Sequence, residues 1–86
     1  MYLHIGNHYY LKKEEIVAVF DMDNATYSHR TREMLNRGEK EGRVINAAED
    51  EIPNSFILAE SNGTRRIYLS MVTSQTLYRR AEEHLF

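Results

Sequence analysis

The chain has no cysteine and no tryptophan, one proline and four glycines among its 86 residues. Without a thiol there is no disulfide staple, no Cys-ligated zinc and no thiol nucleophile. Long apolar runs are missing as well. The longest, Ile16 to Phe20, falls far short of the ~20 residues that a membrane-spanning helix needs, and no basic-then-apolar signal segment opens the chain. These features predict a soluble, cytoplasmic protein. There is no surplus of positive charge either: 11 Lys and Arg stand against 13 Asp and Glu, a formal net charge of −2. Any affinity for nucleic acid therefore has to come from a local patch. GxGxxG, P-loop and GxSxG patterns are all absent, and Gly6, Gly38, Gly42 and Gly63 each suit a turn or a helix end.

What remains is ordinary globular composition, 42% hydrophobic and 28% charged, in a length that suits one domain over residues 1–86. A domain of this size buries only about 60% of the surface its unfolded chain exposes. With neither disulfide nor evident metal, self-association is one way to gain stability.

Periodicity supplies the elements. Tyr2-Leu3-His4-Ile5, the turn pair Gly6-Asn7 and His8-Tyr9-Tyr10-Leu11 read as a hairpin. Ile16-Val17-Ala18-Val19-Phe20 is short and β-branched, which predicts a buried strand ending at Asp21. Tyr27, Thr31, Met34, Leu35 and Gly38 fall on one face of a helix from about Tyr27 to Glu41, with Gly42 as its stop. Val44-Ile45 is a candidate short strand, whereas the acidic stretch around Glu49-Asp50-Glu51 reads as a loop or partly ordered link closed by Pro53. Two runs, Ser55 to Glu60 and Thr64 to Val72, flank Asn62-Gly63 and give the strongest hairpin signal. Thr73 or Ser74 can cap a final helix carrying Leu77, Ala81 and Leu85 on one face. The expected fold class is α+β: a small, mostly antiparallel sheet with two helices, in the order β-β-β-α-(β)-β-β-α.

The residues with chemical potential are few. His4, His8, His29 and His84 lack Cys partners and HExxH spacing and read as structural histidines, not as a metal site. Asp21 and Asp23 are the only acids with a claim to paired-carboxylate chemistry, and both also suit the turn before a capped helix. Neither an enzyme nor a cofactor is predicted. The cations differ more in kind than in number: eight of the eleven are Arg, whose planar fork holds phosphate in two contacts. Arg65 and Arg66 follow a hairpin turn, where they can project together with Lys12 and Lys13. Arg30, Glu33 and Arg37 are helix neighbours that read as a solvated, internally compensated face.

Taken in order, Tyr2-Leu3-His4-Ile5-Gly6, Ile16 to Asp21, Thr31-Arg32-Glu33-Met34-Leu35, Asn54-Ser55-Phe56-Ile57, Tyr68-Leu69-Ser70 and Thr76 to Ala81 resemble the RemA/RemB family of bacterial extracellular-matrix (biofilm) regulators, in its RemB-like branch. The resemblance implies a LytTR-like fold, assembly into homo-oligomeric rings of about seven or eight subunits, and binding to double-stranded DNA near promoters of matrix genes. In the RemA branch, DNA contact depends on arginines before the third strand and ahead of the later hairpin. Those places here read Glu14-Glu15 and Glu51-Ile52-Pro53-Asn54. Lys12 and Lys13, beside the first of them, are then the leading candidates for DNA contact, followed by Arg65 and Arg66. A ring of such size would carry roughly −14 to −16, by multiplying the −2 of one chain, so DNA binding would need a concentrated basic rim. The alternative is a ring-forming interaction module that has lost DNA and acts through a RemA-like partner.

Overall fold

A computed structural model describes residues 1–25 and 29–83 of the chain. In chain order the elements are β1 (Tyr2–Gly6), β2 (Tyr9–Lys12), a 3-10 turn (Lys13–Glu15), β3 (Ile16–Asp21), α1 (Met22–Ala25), α2 (His29–Lys40), β4 (Val44–Asn46), β5 (Ser55–Ser61), β6 (Thr64–Ser70) and α3 (Ser74–Glu83). The α+β class, the mostly antiparallel pairing and the two main helices follow the expected order. The expected helix start at Tyr27 and the α3 position Leu85 lie outside the described residues, as does His84.

Asn62 and Gly63 both take positive φ, 53° and 79°, the backbone that a two-residue hairpin turn of matching twist demands. Ser61 consequently sits opposite Thr64, and β5 and β6 pair in register as far as Ser55 and Ser70. β3 adds antiparallel to the other side of β5, and β4 runs parallel to β6. The order β3-β5-β6-β4 makes one four-stranded sheet, while β1 and β2 form a separate two-stranded one.

Strand alternation gives the larger sheet two faces. Ile57, Ala59 and Tyr68 look toward the main core, where the β1-β2 hairpin supplies Leu3, Ile5 and Leu11 and α3 supplies Leu77. Phe56, Leu58 and Ile67 belong to the opposite face. There Phe56 stacks on Phe20 with ring centroids 4.8 Å apart, and α2 lies against β6 and β4. Two buried hydroxyls stitch the layers together. Ser70 Oγ donates to Ile5 O and accepts from the Val72 amide at 3.0 Å, and Ser55 Oγ donates to Val72 O at 2.7 Å. Both serines are fully buried and fully used, as buried polar groups must be.

Helix ends follow the expected chemistry. Asp21 Oδ1 accepts the Asp23 amide at 2.9 Å and caps α1, and Thr73 Oγ1 accepts the Thr76 amide at 3.2 Å and caps α3.

Three expectations change. The first hairpin turns at Asn7-His8, one residue later than the Gly6-Asn7 pair, because a bulge between His4 and Gly6 shifts the register. The run Ile16 to Phe20 forms its strand, but none of its residues is fully buried: it lies at a sheet edge, and a second bulge between Ile16 and Ala18 leaves Val17 57% exposed. Finally, of the two readings of the stretch beyond the expected strand at Val44-Ile45, the loop holds, with turns and no regular structure over residues 47–54, and the partly ordered link does not. Val44-Ile45 becomes the parallel strand β4, and Ala47 and Ala48 are fully buried, with Ala47 in the main core and its carbonyl accepting Asn7 Nδ2 at 2.7 Å. Side chains this small let the backbone itself pack into the interior, and periodicity gives no sign of that.

Candidate nucleic-acid interface

Lys12, Lys13, Arg65 and Arg66 do not form one cluster. Lys12 ends β2 with its side chain exposed. Lys13 is half-buried, and its Nζ donates to Ala81 O in α3 at 2.9 Å, so its charge lies against a helix C-terminal carbonyl, where a cation is favoured. Arg65 and Arg66 are adjacent in β6 and project to opposite faces. Arg66 shares the face of Tyr68 and Ser70. In register it sits opposite Ala59, which in turn faces Ile16, about 10 Å away across two strand spacings. Arg65 turns to the α2 side, where Glu60 on the facing strand approaches its Nε at 3.6 Å.

A second set of cations gathers around Arg65. A groove of about 250 Å³ between α2 and the sheet is lined by four arginines, Arg30, Arg37, Arg43 and Arg65, with Glu33 among them. Met34, Leu58 and Ile67 form its apolar walls. Arg30 and Arg37 are seven residues apart on α2, which places them on one face about 10 Å apart along the helix axis. The compensation expected of this face is only partial. Glu33 pairs with His29 at 3.0 Å, and Arg30 and Arg37 enter no ion pair among the described residues. Arg43, from the connection between α2 and β4, is held by Glu41 at 3.0 Å, and its Nε is buried without a hydrogen-bond partner. Sequence spacing identifies Arg30 and Arg37 as neighbours. Nothing local marks Arg43, which reaches the groove only because β4 pairs in parallel with β6.

Gly38 sets the depth of this groove. A Cβ added there would meet Ile67 Cδ1 at 2.9 Å and Val44 Cγ2 at 3.3 Å, so α2 approaches the sheet at a distance that only glycine allows. Gly38→Val should cost about 1–3 kcal/mol through overpacking, read as a lowered urea midpoint. An unchanged midpoint would mean that the helix rides over the added methyls without strain.

Elsewhere, His4 stacks on Tyr10 at 4.7 Å and donates from Nε2 to Asn7 O at 2.8 Å, a structural role. Glu14 and Glu51, at the places where the RemA branch carries arginine, are exposed, and Glu14 lies 3.7 Å from the N-terminal amine. No described helix is long and apolar enough to cross a membrane.

The molecule is thus a small α+β domain whose most distinctive surface feature is a cationic groove. A family model described as RemA-like, extracellular matrix regulatory protein A-like, matches residues 2–81. The chain belongs to this RemA-like family, a family of extracellular-matrix regulators and not of enzymes. Comparison with the curated proteins finds no match.

Proposed function

We infer that this chain is a cytoplasmic, RemB-type regulator that assembles into a homo-oligomer and binds double-stranded DNA at promoters of matrix genes. The observation that carries the reading is the match to the RemA-like family across residues 2–81. The bipartite distribution of arginine and lysine is compatible with contacts to phosphate, which position a protein on the duplex without reading its bases. Sequence preference would then come from DNA shape and deformability. Self-association is supported by the position of β3 at the end of the sheet, with no further strand paired to it among the described residues and with Val17 57% exposed. Repetition around a closed assembly makes each later phosphate contact intramolecular, so a few contacts per subunit suffice.

The test is fluorescence anisotropy with a labelled promoter-length duplex at low and at physiological salt, with the oligomeric state followed by light scattering. Affinity should fall steeply with salt. Charge reversal at Lys12, Arg65 and Arg66 together with Lys13→Gln should abolish binding and leave the oligomer intact. Unchanged affinity in that variant would remove these four residues from the interface, and no binding by the parent protein at low salt would remove DNA.

The exposed acidic stretch Glu49-Asp50-Glu51 beside Ile52, which is 83% exposed, favours a second reading. There the chain is an interaction module that has lost DNA and acts through a RemA-like partner. Mixed assemblies on co-expression with a basic family member would support it, and exclusive self-assembly would count against it.

A further inference from the structure

We propose that the groove between α2 and the sheet is a binding site for phosphate oxyanions, with Arg30 and Arg37 supplying free charge and Arg43 and Arg65 lining its other side. The argument rests on charge, concavity and unmet hydrogen bonding at one place. Four guanidinium groups share a groove of about 250 Å³ whose other walls are Met34, Leu58 and Ile67. Low-dielectric walls around like charges focus the field into the concavity, and an anion relieves the mutual repulsion. Two of the four arginines have no carboxylate partner among the described residues, and the Nε of a third is buried without an acceptor. Guanidinium forks suit phosphate because each offers two parallel donors to two oxygens.

The lining also states what is not recognised. Among the described residues it includes no aromatic ring on which a base could stack, and its one acceptor side chain, Glu33, lies 3.0 Å from His29. These residues supply contacts to phosphate oxygens. The spacing of Arg30 and Arg37, about 10 Å along the helix, spans more than one phosphate, as a phosphodiester backbone or a polyphosphate would supply. Where the phosphate is that of DNA, the inference rests on the reading above. The groove itself does not require it.

Two measurements on the full-length chain separate the sources. In the first, duplex binding is compared between the parent and the double variant R30Q/R37Q, two exposed helix positions where Gln preserves helix propensity. Loss of two phosphate contacts per engaged subunit should lower affinity by about tenfold or more and flatten the slope of log K against log salt by about two for each subunit that touches the duplex. In the second, the arginine Nε–H resonances of Arg43 and Arg65 are followed by NMR during titration with pyrophosphate. Shifts that saturate in the parent and vanish in R30Q/R37Q uphold the site for small phosphates even if the duplex does not bind, an outcome that would sink the DNA reading alone. A loss of duplex affinity with unmoved resonances upholds the site for a nucleic-acid backbone only. Unmoved resonances together with no difference between parent and R30Q/R37Q toward the duplex, whether both bind or neither does, would overturn the proposal.

Discussion

Phe56→Ala should be the most destabilising single truncation in the sheet, at about 3–5 kcal/mol. Phe56 has no solvent exposure and stacks on Phe20 with an interplanar angle of 17°. The two rings are register partners on adjacent strands and join the edge strand β3 to the centre of the sheet. Truncation removes a fully buried ring, and such losses run to about 3–5 kcal/mol. At roughly 0.05–0.15 kcal/mol per residue, an 86-residue chain holds about 4–13 kcal/mol in total. The variant therefore spends most of the lower estimate. In urea, with a slope near 1 kcal/mol per molar, the midpoint should drop by about 3 M or vanish. Phe56→Leu should lose about half as much, because it keeps most of the buried volume. A drop below about 1 M for the alanine variant would show that the face under α1 can collapse around the gap.

Leu77→Ala is expected to be nearly as damaging, at about 2–5 kcal/mol, but to fail differently. Leu77 is 1% exposed and is the main apolar anchor of α3 in the core. The helix is otherwise held by polar ties to backbone carbonyls: Lys13 Nζ to Ala81 O, Arg80 Nη1 to His4 O at 3.0 Å, and Tyr78 OH to Val19 O at 3.2 Å. Each is worth about 0.5–1.5 kcal/mol, or up to about 3 where the donor is charged. These ties cannot substitute for the lost burial, so α3 should detach while the four-stranded sheet persists. Amide exchange across α3 would then speed up well before that of β5 and β6. Uniform loss of protection through the whole chain would instead mean that α3 and the sheet form a single cooperative unit.

The parts of the fold that could be read in advance are those whose information is local. Asn62-Gly63 fixes β5 and β6 because turn chemistry and alternation agree over two seven-residue strands. The buried face of α2, with Thr31, Met34, Leu35 and Gly38, follows from a period that needs no partner. β4 carries only a weak signal, the β-branched pair Val44-Ile45: its three residues, Val44–Asn46, find their parallel partner in β6, about twenty residues later, and that pairing is not local. The candidate site divides along the same line. Alternation already separates Arg65 from Arg66, yet turn exposure suggests that they act together, and the geometry sends them to opposite faces. Arg43 could not be singled out, since its place depends on that same long-range pairing. The pairing of Glu33 with His29, which leaves Arg30 and Arg37 with no ion pair among the described residues, is a choice among rotamers that spacing alone does not make.

The attachment of the β1-β2 hairpin has a consequence for how the chain comes off the ribosome. The hairpin is made well before its moorings: Ile5 O waits for Ser70, His4 O for Arg80, and Asn7 for the carbonyl of Ala47. Leu3, Ile5 and Leu11, all buried in the finished molecule, have no surface to dock on until β5, β6 and α3 have emerged. A two-stranded ribbon alone is at best marginally stable in water, so during synthesis the N-terminal segment is an apolar nascent chain awaiting its C-terminal clasp. Translational pausing or truncation before Ser70 would leave these side chains exposed to chaperones and proteases, so the residues around Ser70 and Arg80 determine when the β1-β2 hairpin becomes ordered.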